Sequence, residues 1–166
     1  DVGVDESYVL EIVVDKDGGD VKGRINATTI WGAMRGMETL SQVVEWRIPS
    51  GKDEATYLMR HVPLVISDEP RFAWRGLMID TARHFIPEQD VLRTLSTMEY
   101  NKMNVLHWHM TDAESFSYGS EVLSQLPKNG AYGPNAVYTL EDIEAIIKYA
   151  YLRGIIVIPE FDIPGI

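Results

Sequence analysis

Between Asn104 and Tyr118 the chain reads NVLHWHMTDAESFSY, with two histidines around a tryptophan and an aspartate close behind. Side chains two apart on a strand share a face. His107 and His109 are therefore expected on one side, with Trp108 on the other as a packing residue. Two imidazoles on one face could bind a metal, but a metal site needs further ligands at fixed spacing. None is evident, and no metal is expected. The alternative is a pair of sheet histidines donating to carbonyls and carboxylates. Asp112 follows the strand directly, within Thr-Asp-Ala-Glu-Ser. A carboxylate there can orient a histidine or tune the pKa of an acid, or serve only as a turn aspartate. Arg83 and His84 lie in DTARHF, just past another short apolar run. An arginine fork offers fixed donors to hydroxyl pairs or carboxylates; the plainer reading is a surface arginine paired to Asp80. Glu160 and Asp162 alternate in PEFD and share a face. Such a pair suits acid–base work or a salt-bridged rim.

The elements that must hold these residues follow from hydropathy and turn chemistry. Gly76–Asp80, Asn104–Met110 and Ile155–Ile158 read as short buried strands. Between them, Pro87 opens a helix with Val91, Leu92, Leu95 and Met98 on one face. Thr139-Leu140-Glu141-Asp142 resembles a capping box, followed by an Ile143, Ile146, Ile147, Ala150, Tyr151 stripe that Gly154 ends. The order β-α-β-α-β predicts a parallel sheet. Each strand ends in ionisable residues, and the C-terminal ends of parallel strands carry the chemistry of such folds. No glycine-rich phosphate loop follows any strand, which disfavours a nucleotide-binding fold. The expected class is α/β, with an incomplete (β/α)8 TIM barrel over 67–166. Three strands are too few for the barrel to close within this chain.

Residues 1–66 read as a separate, small α+β domain. Tyr8–Val14 and Val21–Ile25 are expected strands around the turn Asp15–Asp20. Asp17-Gly18-Gly19-Asp20 resembles part of a catalytic Gly-Gly-Asp-Glu signature, but Val21 follows and a hairpin turn is the better reading. A helix with Trp31, Met34, Leu40 and Val44 at helical spacing follows Thr28-Thr29. Gly32 and Gly36 share one of its faces, which predicts close packing on a sheet. Tyr57–Arg60 and Val62–Ile66 are further short strands, and Ser67–Pro70 breaks the pattern.

Composition bounds the partners. The 166 residues carry 15 basic and 25 acidic side chains, for a net charge of −10. No basic cluster is present, so nucleic acid is not an expected partner. There is no cysteine, which excludes disulfides and thiolate metal sites within the chain. No apolar run approaches the roughly 20 residues of a membrane span. The N-terminus has no basic-then-apolar signal pattern. Asn26-Ala27-Thr28 is a glycosylation sequon, relevant if the protein is secreted.

RGLMIDTARHFIP, YNKMNVLHWHMTDAESF, YTLEDIEAIIKYAYLRGI and IVIPEFDIPG, in that order, resemble the β-N-acetylhexosaminidases of glycoside hydrolase family 20. TTIWGAMRGMETLSQVV resembles the small domain that precedes their barrel. The resemblance implies removal of terminal β-linked N-acetylglucosamine or N-acetylgalactosamine from glycans, glycolipids or chitin fragments with retention. The substrate's acetamido carbonyl is then the nucleophile, outside the two-carboxylate scheme. Arg83 matches the arginine that grips sugar hydroxyls. Asp112 matches the aspartate of an Asp–His–Glu relay that tunes the general acid. His107 and His109 would be structural, while Glu160 and Asp162 keep both readings, acid–base work or a site rim. No cofactor or metal is implied, and a lysosomal or secreted location is. The third-strand motif of the family reads Glu-Phe-Asp-x-Pro-Gly-His, whereas Ile166 stands at the last position here. The family's acetamide-orienting Asp-Glu pair lies further along its chain. The expectation is an N-terminal portion of such an enzyme, inactive by itself, with the remaining barrel on another chain or segment and assembly as a homo- or heterodimer. The alternative is a non-catalytic carbohydrate-binding or structural derivative of the same fold.

Overall fold

The structure is a computed structural model that describes residues 2–15, 21–48 and 56–163. The Asp17–Asp20 turn and Ile166 lie outside them. Among the described residues the elements follow in order: β1 (Tyr8–Val14), β2 (Val21–Ala27), α1 (Ile30–Val43), β3 (Val44–Arg47), β4 (Thr56–Met59), β5 (Leu64–Asp68), β6 (Gly76–Asp80), α2 (Glu88–Tyr100), β7 (Val105–Thr111), α3 (Gln125–Gly130), α4 (Leu140–Tyr151) and β8 (Ile156–Phe161). The chain divides into two compact units between Ala73 and Trp74.

In the first unit, β1 is the central strand of an antiparallel sheet in the order β2-β1-β5. Its alternating Tyr8, Leu10 and Ile12 are buried, and Ile25, Leu40, Val43, Leu64 and Ile66 pack around them. Thr29 caps α1, its side chain accepting from the Gly32 amide at 3.1 Å. The two helix glycines touch the sheet as their spacing predicts. A Cβ on Gly32 would sit 2.3 Å from the Ser7 carbonyl oxygen, and one on Gly36 2.7 Å from Ile25 Cγ2. Arg35 from the same helix is buried in an ion pair with Glu6, Nε to Oε1 at 2.7 Å. Two details differ from the sequence reading. Val44 begins β3, which pairs with β4, rather than ending the helix. The last strand extends through Ser67 and Asp68, because these pair with Val9 and Tyr8 and Asp68 accepts from the Tyr8 hydroxyl at 2.7 Å.

The second unit is β-α-β-α-β with an all-parallel sheet in the order β6-β7-β8. Two amphipathic helices, α2 and α4, cover one face. Val91, Leu95 and Met98 from α2 and Ile146 and Ala150 from α4 meet Leu106, Trp108 and Met110 of β7, all buried. Trp108 is thus a packing residue, and its indole N–H donates to Thr81 Oγ1 at 2.9 Å. The capping box at Thr139 and Asp142 is formed in both directions, 3.1 and 2.8 Å. Gly154 ends α4 with φ of 67°, a conformation that glycine adopts without steric cost. The helix α3 within the 112–138 connection escaped the periodicity reading; it is short, contains Pro127 and buries no residue.

Candidate active site

With Trp108 turned to the helices, His107 and His109 face the other side of the sheet. Parallel register places Asp80, His109 and Glu160 side by side across β6, β7 and β8. This row lies at the C-terminal ends of the strands, where the following turns add Arg83, Asp112 and Asp162.

Each turn is fixed by its own side chains. Asp80 Oδ1 accepts from the amides of Ala82 and Arg83, both at 3.0 Å. Asp112 Oδ1 accepts from Glu114 at 2.8 Å and Ser115 at 3.4 Å. Ser115 Oγ donates to the Ala82 carbonyl at 2.6 Å and ties the two turns together. Tyr132, on the long connection, donates its hydroxyl to the Arg83 carbonyl at 2.9 Å.

The charged groups form one chain. Arg83 Nη1 donates to Asp80 Oδ2 at 2.6 Å, and Arg83 Nε lies 3.6 Å from Asp112 Oδ2. That same Asp112 oxygen is 3.3 Å from His109 Nε2. On its other side, His109 Nδ1 lies 3.1 Å from Glu160 Oε2, which also meets His107 Nε2 at 2.5 Å. The side chains of His109 and Asp112 are 6% and 1% exposed, whereas Arg83 is 49% exposed and reaches solvent. Asp162 is half-buried with Oδ2 enclosed and unpartnered among the described residues, near His109 and Glu160.

Protonation follows from these contacts. Burial pushes the Asp112 carboxyl up, but the amides of Glu114 and Ser115, the Glu114 side chain and His109 together hold it below the usual aspartate range. Asp80 is likewise lowered, as amide donors, Arg83 and the charge of His109 outweigh its burial. Burial pushes His109 down, yet hydrogen bonds to Glu160 and Asp112 and the charges of Asp80 and Glu160 raise it overall. Glu160 is lowered, chiefly by His109 and then, against its burial, by His107. Arg83 is raised by Asp80.

Arg83, Asp112, Glu160 and Asp162 thus belong to one cluster, whereas His84, also singled out past the first strand, is exposed and makes no hydrogen bond or ion pair with it among the described residues. Asn26 belongs to the other unit and is exposed on β2, with Thr28 donating to Asp5. The bridging of two carboxylates by His109 was only partly legible: same-face alternation placed the imidazole and Asp112 follows close behind it, but Glu160 comes from another strand. Tyr132 carried no sequence signal. Asp80, His109 and Asp112, and separately His109, Glu160 and Asp162, present one oxygen or nitrogen each within 4.8 Å of one another. Both nitrogens of His109 and both oxygens of Asp112 already face partners in the cluster. The arrangement is a hydrogen-bonded charge chain beside an exposed arginine. It can grip a polar ligand at Arg83 and hold a buried carboxylate ionised behind it.

Known proteins resemble this chain along nearly its whole length. The glycosyl hydrolase family 20 catalytic domain matches residues 72–165, and a β-acetyl hexosaminidase-like domain matches residues 1–43. The chain is 47% identical over 163 residues to β-hexosaminidase A of Caenorhabditis briggsae, covering 98% of this chain and 27% of that protein. It is 44% identical to β-hexosaminidase subunit alpha of Bos taurus, covering 99% of this chain and 29% of that protein. Among solved structures, a Flavobacterium johnsoniae chitobiase superposes with a TM-score of 0.78 at 38% identity, over 98% of this chain and 23% of that one. The Vibrio harveyi exo-β-N-acetylglucosaminidase bound to N-acetylglucosamine gives 0.73 at 30% identity, over 95% and 26%. The chain thus spans less than a third of the length of these relatives. An antiparallel sheet followed by parallel β-α units is the arrangement with which a family 20 enzyme enters its barrel, and this chain belongs to glycosyl hydrolase family 20.

Proposed function

We propose that this chain forms the sugar-gripping side of a β-N-acetylhexosaminidase, which releases terminal β-linked N-acetylglucosamine or N-acetylgalactosamine with retention of configuration. The observation that carries the reading is the buried, ionised Asp112 set 3.6 Å behind the exposed Arg83 at the strand ends. Arg83, held by Asp80, presents its remaining guanidinium donors to the hydroxyls of the non-reducing sugar. The substrate's acetamido oxygen attacks C1 and forms a cyclic intermediate as the leaving oxygen takes a proton from a general acid. Water then opens the intermediate at C1 from the face the leaving group left, restoring the configuration. Asp112 contributes through the proton relay behind that acid. The acid is expected from barrel strands beyond β6–β8, so the 166-residue chain alone is expected to be inactive. The relatives' alpha and beta subunit names support a homo- or heterodimer. The exposed sequon at Asn26 supports glycosylation on a route to the lysosome or cell exterior.

The test is hydrolysis of fluorogenic N-acetyl-β-glucosaminide and N-acetyl-β-galactosaminide by the polypeptide in which this chain is continuous with the rest of its barrel. Arg83→Lys and Asp112→Asn should each lower kcat/KM by about ten- to one-hundredfold, the scale of a lost charged hydrogen bond. Equal turnover of the matching β-glucoside, which lacks the acetamide, would sink the reading.

A further inference from the structure

His109 touches carboxylates from two segments, Asp112 in the turn after β7 and Glu160 on β8. Its Nε2 faces Asp112 at 3.3 Å and its Nδ1 faces Glu160 at 3.1 Å. An ionised carboxylate can only accept, and a neutral imidazole can donate from one nitrogen alone. A neutral ring here would aim a lone pair at one of the two oxygens, in a pocket where the ring is 6% exposed. Protonating a carboxyl instead would relieve that repulsion, but the other contacts oppose it. Asp112 accepts two backbone amides and sits beside Arg83. Glu160 also meets His107. The remaining charged groups around the ring are Asp80 on β6, Glu114 beyond β7 and Asp162 beyond β8. Arg83 reaches two of these carboxylates, Asp80 and Asp112, while Glu160 and Asp162 lie beside the ring. A second cation is what the cluster lacks.

We propose that His109 is a positioning residue carried as an imidazolium, which bridges Asp112 to Glu160 and holds Asp112 aimed and ionised. It touches no substrate; it acts through Asp112. The chain continues from Glu160 to His107, whose side chain is 38% exposed, so the buried aspartate is joined to solvent by an unbroken line of titratable groups. The raised pKa of His109 agrees in direction. The consequence for catalysis rests on the glycosidase reading above, whereas the bridge and its charge do not.

Nitrogen-15 spectra of the chain with labelled histidine test the charge directly. His61→Gln, His84→Gln and His107→Gln each remove one signal and identify the fourth imidazole, which is then followed with the other three in place. That imidazole should carry protons on both ring nitrogens at pH 7, with a midpoint above the ordinary value of about 6.5. A neutral tautomer at pH 7 overturns the proposal. Glu160→Gln removes one acceptor charge and should lower the His109 midpoint; an unmoved midpoint also overturns it. With carbon-13 carboxyl labels, the Asp112 midpoint should rise in His109→Gln and stay in place in His107→Gln. An unchanged Asp112 in folded His109→Gln would leave the histidine a merely structural role, and should that variant fail to fold, Glu160→Gln decides. A charged His109 in a protein that hydrolyses no N-acetylhexosaminide would sink the reading above and leave the bridge standing.

Discussion

The residues at the strand ends work as a set because each is held by a neighbour of opposite sign. Arg83 is drawn towards Asp80 and Asp112, Asp112 lies between Arg83 and His109, and His109 between Asp112 and Glu160. Such contacts make stability depend on pH, with a sign that follows from the direction of each shift. Asp80, Asp112 and Glu160 titrate lower in the fold than in an unfolded chain. Their contribution is present above pH about 4 and is lost as pH falls through their folded values. His109 titrates higher in the fold. Its contribution is full below pH about 6.5 and is lost as pH rises through its folded value. Together they place the optimum contributed by this cluster between about pH 4 and 6.5. Thermal unfolding followed from pH 3 to 9 should show that maximum, and Glu160→Gln should flatten its alkaline side. A Tm that climbs steadily past pH 8 would contradict the assignment.

At the scale of elements, two features of local sequence hold the scaffold. Thr139 starts α4 with a reciprocal cap. Its replacement by alanine should cost about 1 kcal/mol, read as a lower urea midpoint with unchanged slope. The α1 glycines act through contact rather than flexibility. Glycine normally weakens a helix interior by roughly 1 kcal/mol against alanine, so Gly32→Ala would stabilise a free helix. Here the new methyl would meet a backbone oxygen at 2.3 Å, which cannot rotate away. The expected result is net destabilisation by about 1–3 kcal/mol, measured by chemical unfolding. The Glu6–Arg35 pair ties the same helix to the segment before β1, with side chains 7% and 3% exposed. Glu6→Ala leaves the guanidinium without that carboxylate and should cost about 3–5 kcal/mol, seen as faster amide exchange in β1 and α1.

Over the whole molecule, each unit has its own apolar cluster, one around Leu10 and one around Leu106 and Trp108. Leu10→Ala should remove about 2–5 kcal/mol from the first unit, visible as lost exchange protection across β1, β2 and β5. The sequence by itself determined the order of these elements. The apolar, β-branched run Tyr8–Val14 marked a strand, the stripe from Ile143 to Tyr151 marked a helix, and β-α-β-α-β implied the parallel sheet that β6, β7 and β8 form. It also set which side of β7 each residue faces, because strand alternation is a local rule. It did not reveal β3, which needs β4 as its partner, or α3, which is too short and too exposed to show a stripe. Nor did it join His109 to Glu160 or Tyr132 to Arg83. Those contacts link residues far apart in the chain, and only the parallel register and the folding back of the long connection bring them together. Local periodicity is written in neighbouring residues, whereas the charge chain that makes the site is a product of strand pairing, so it had to await the tertiary structure.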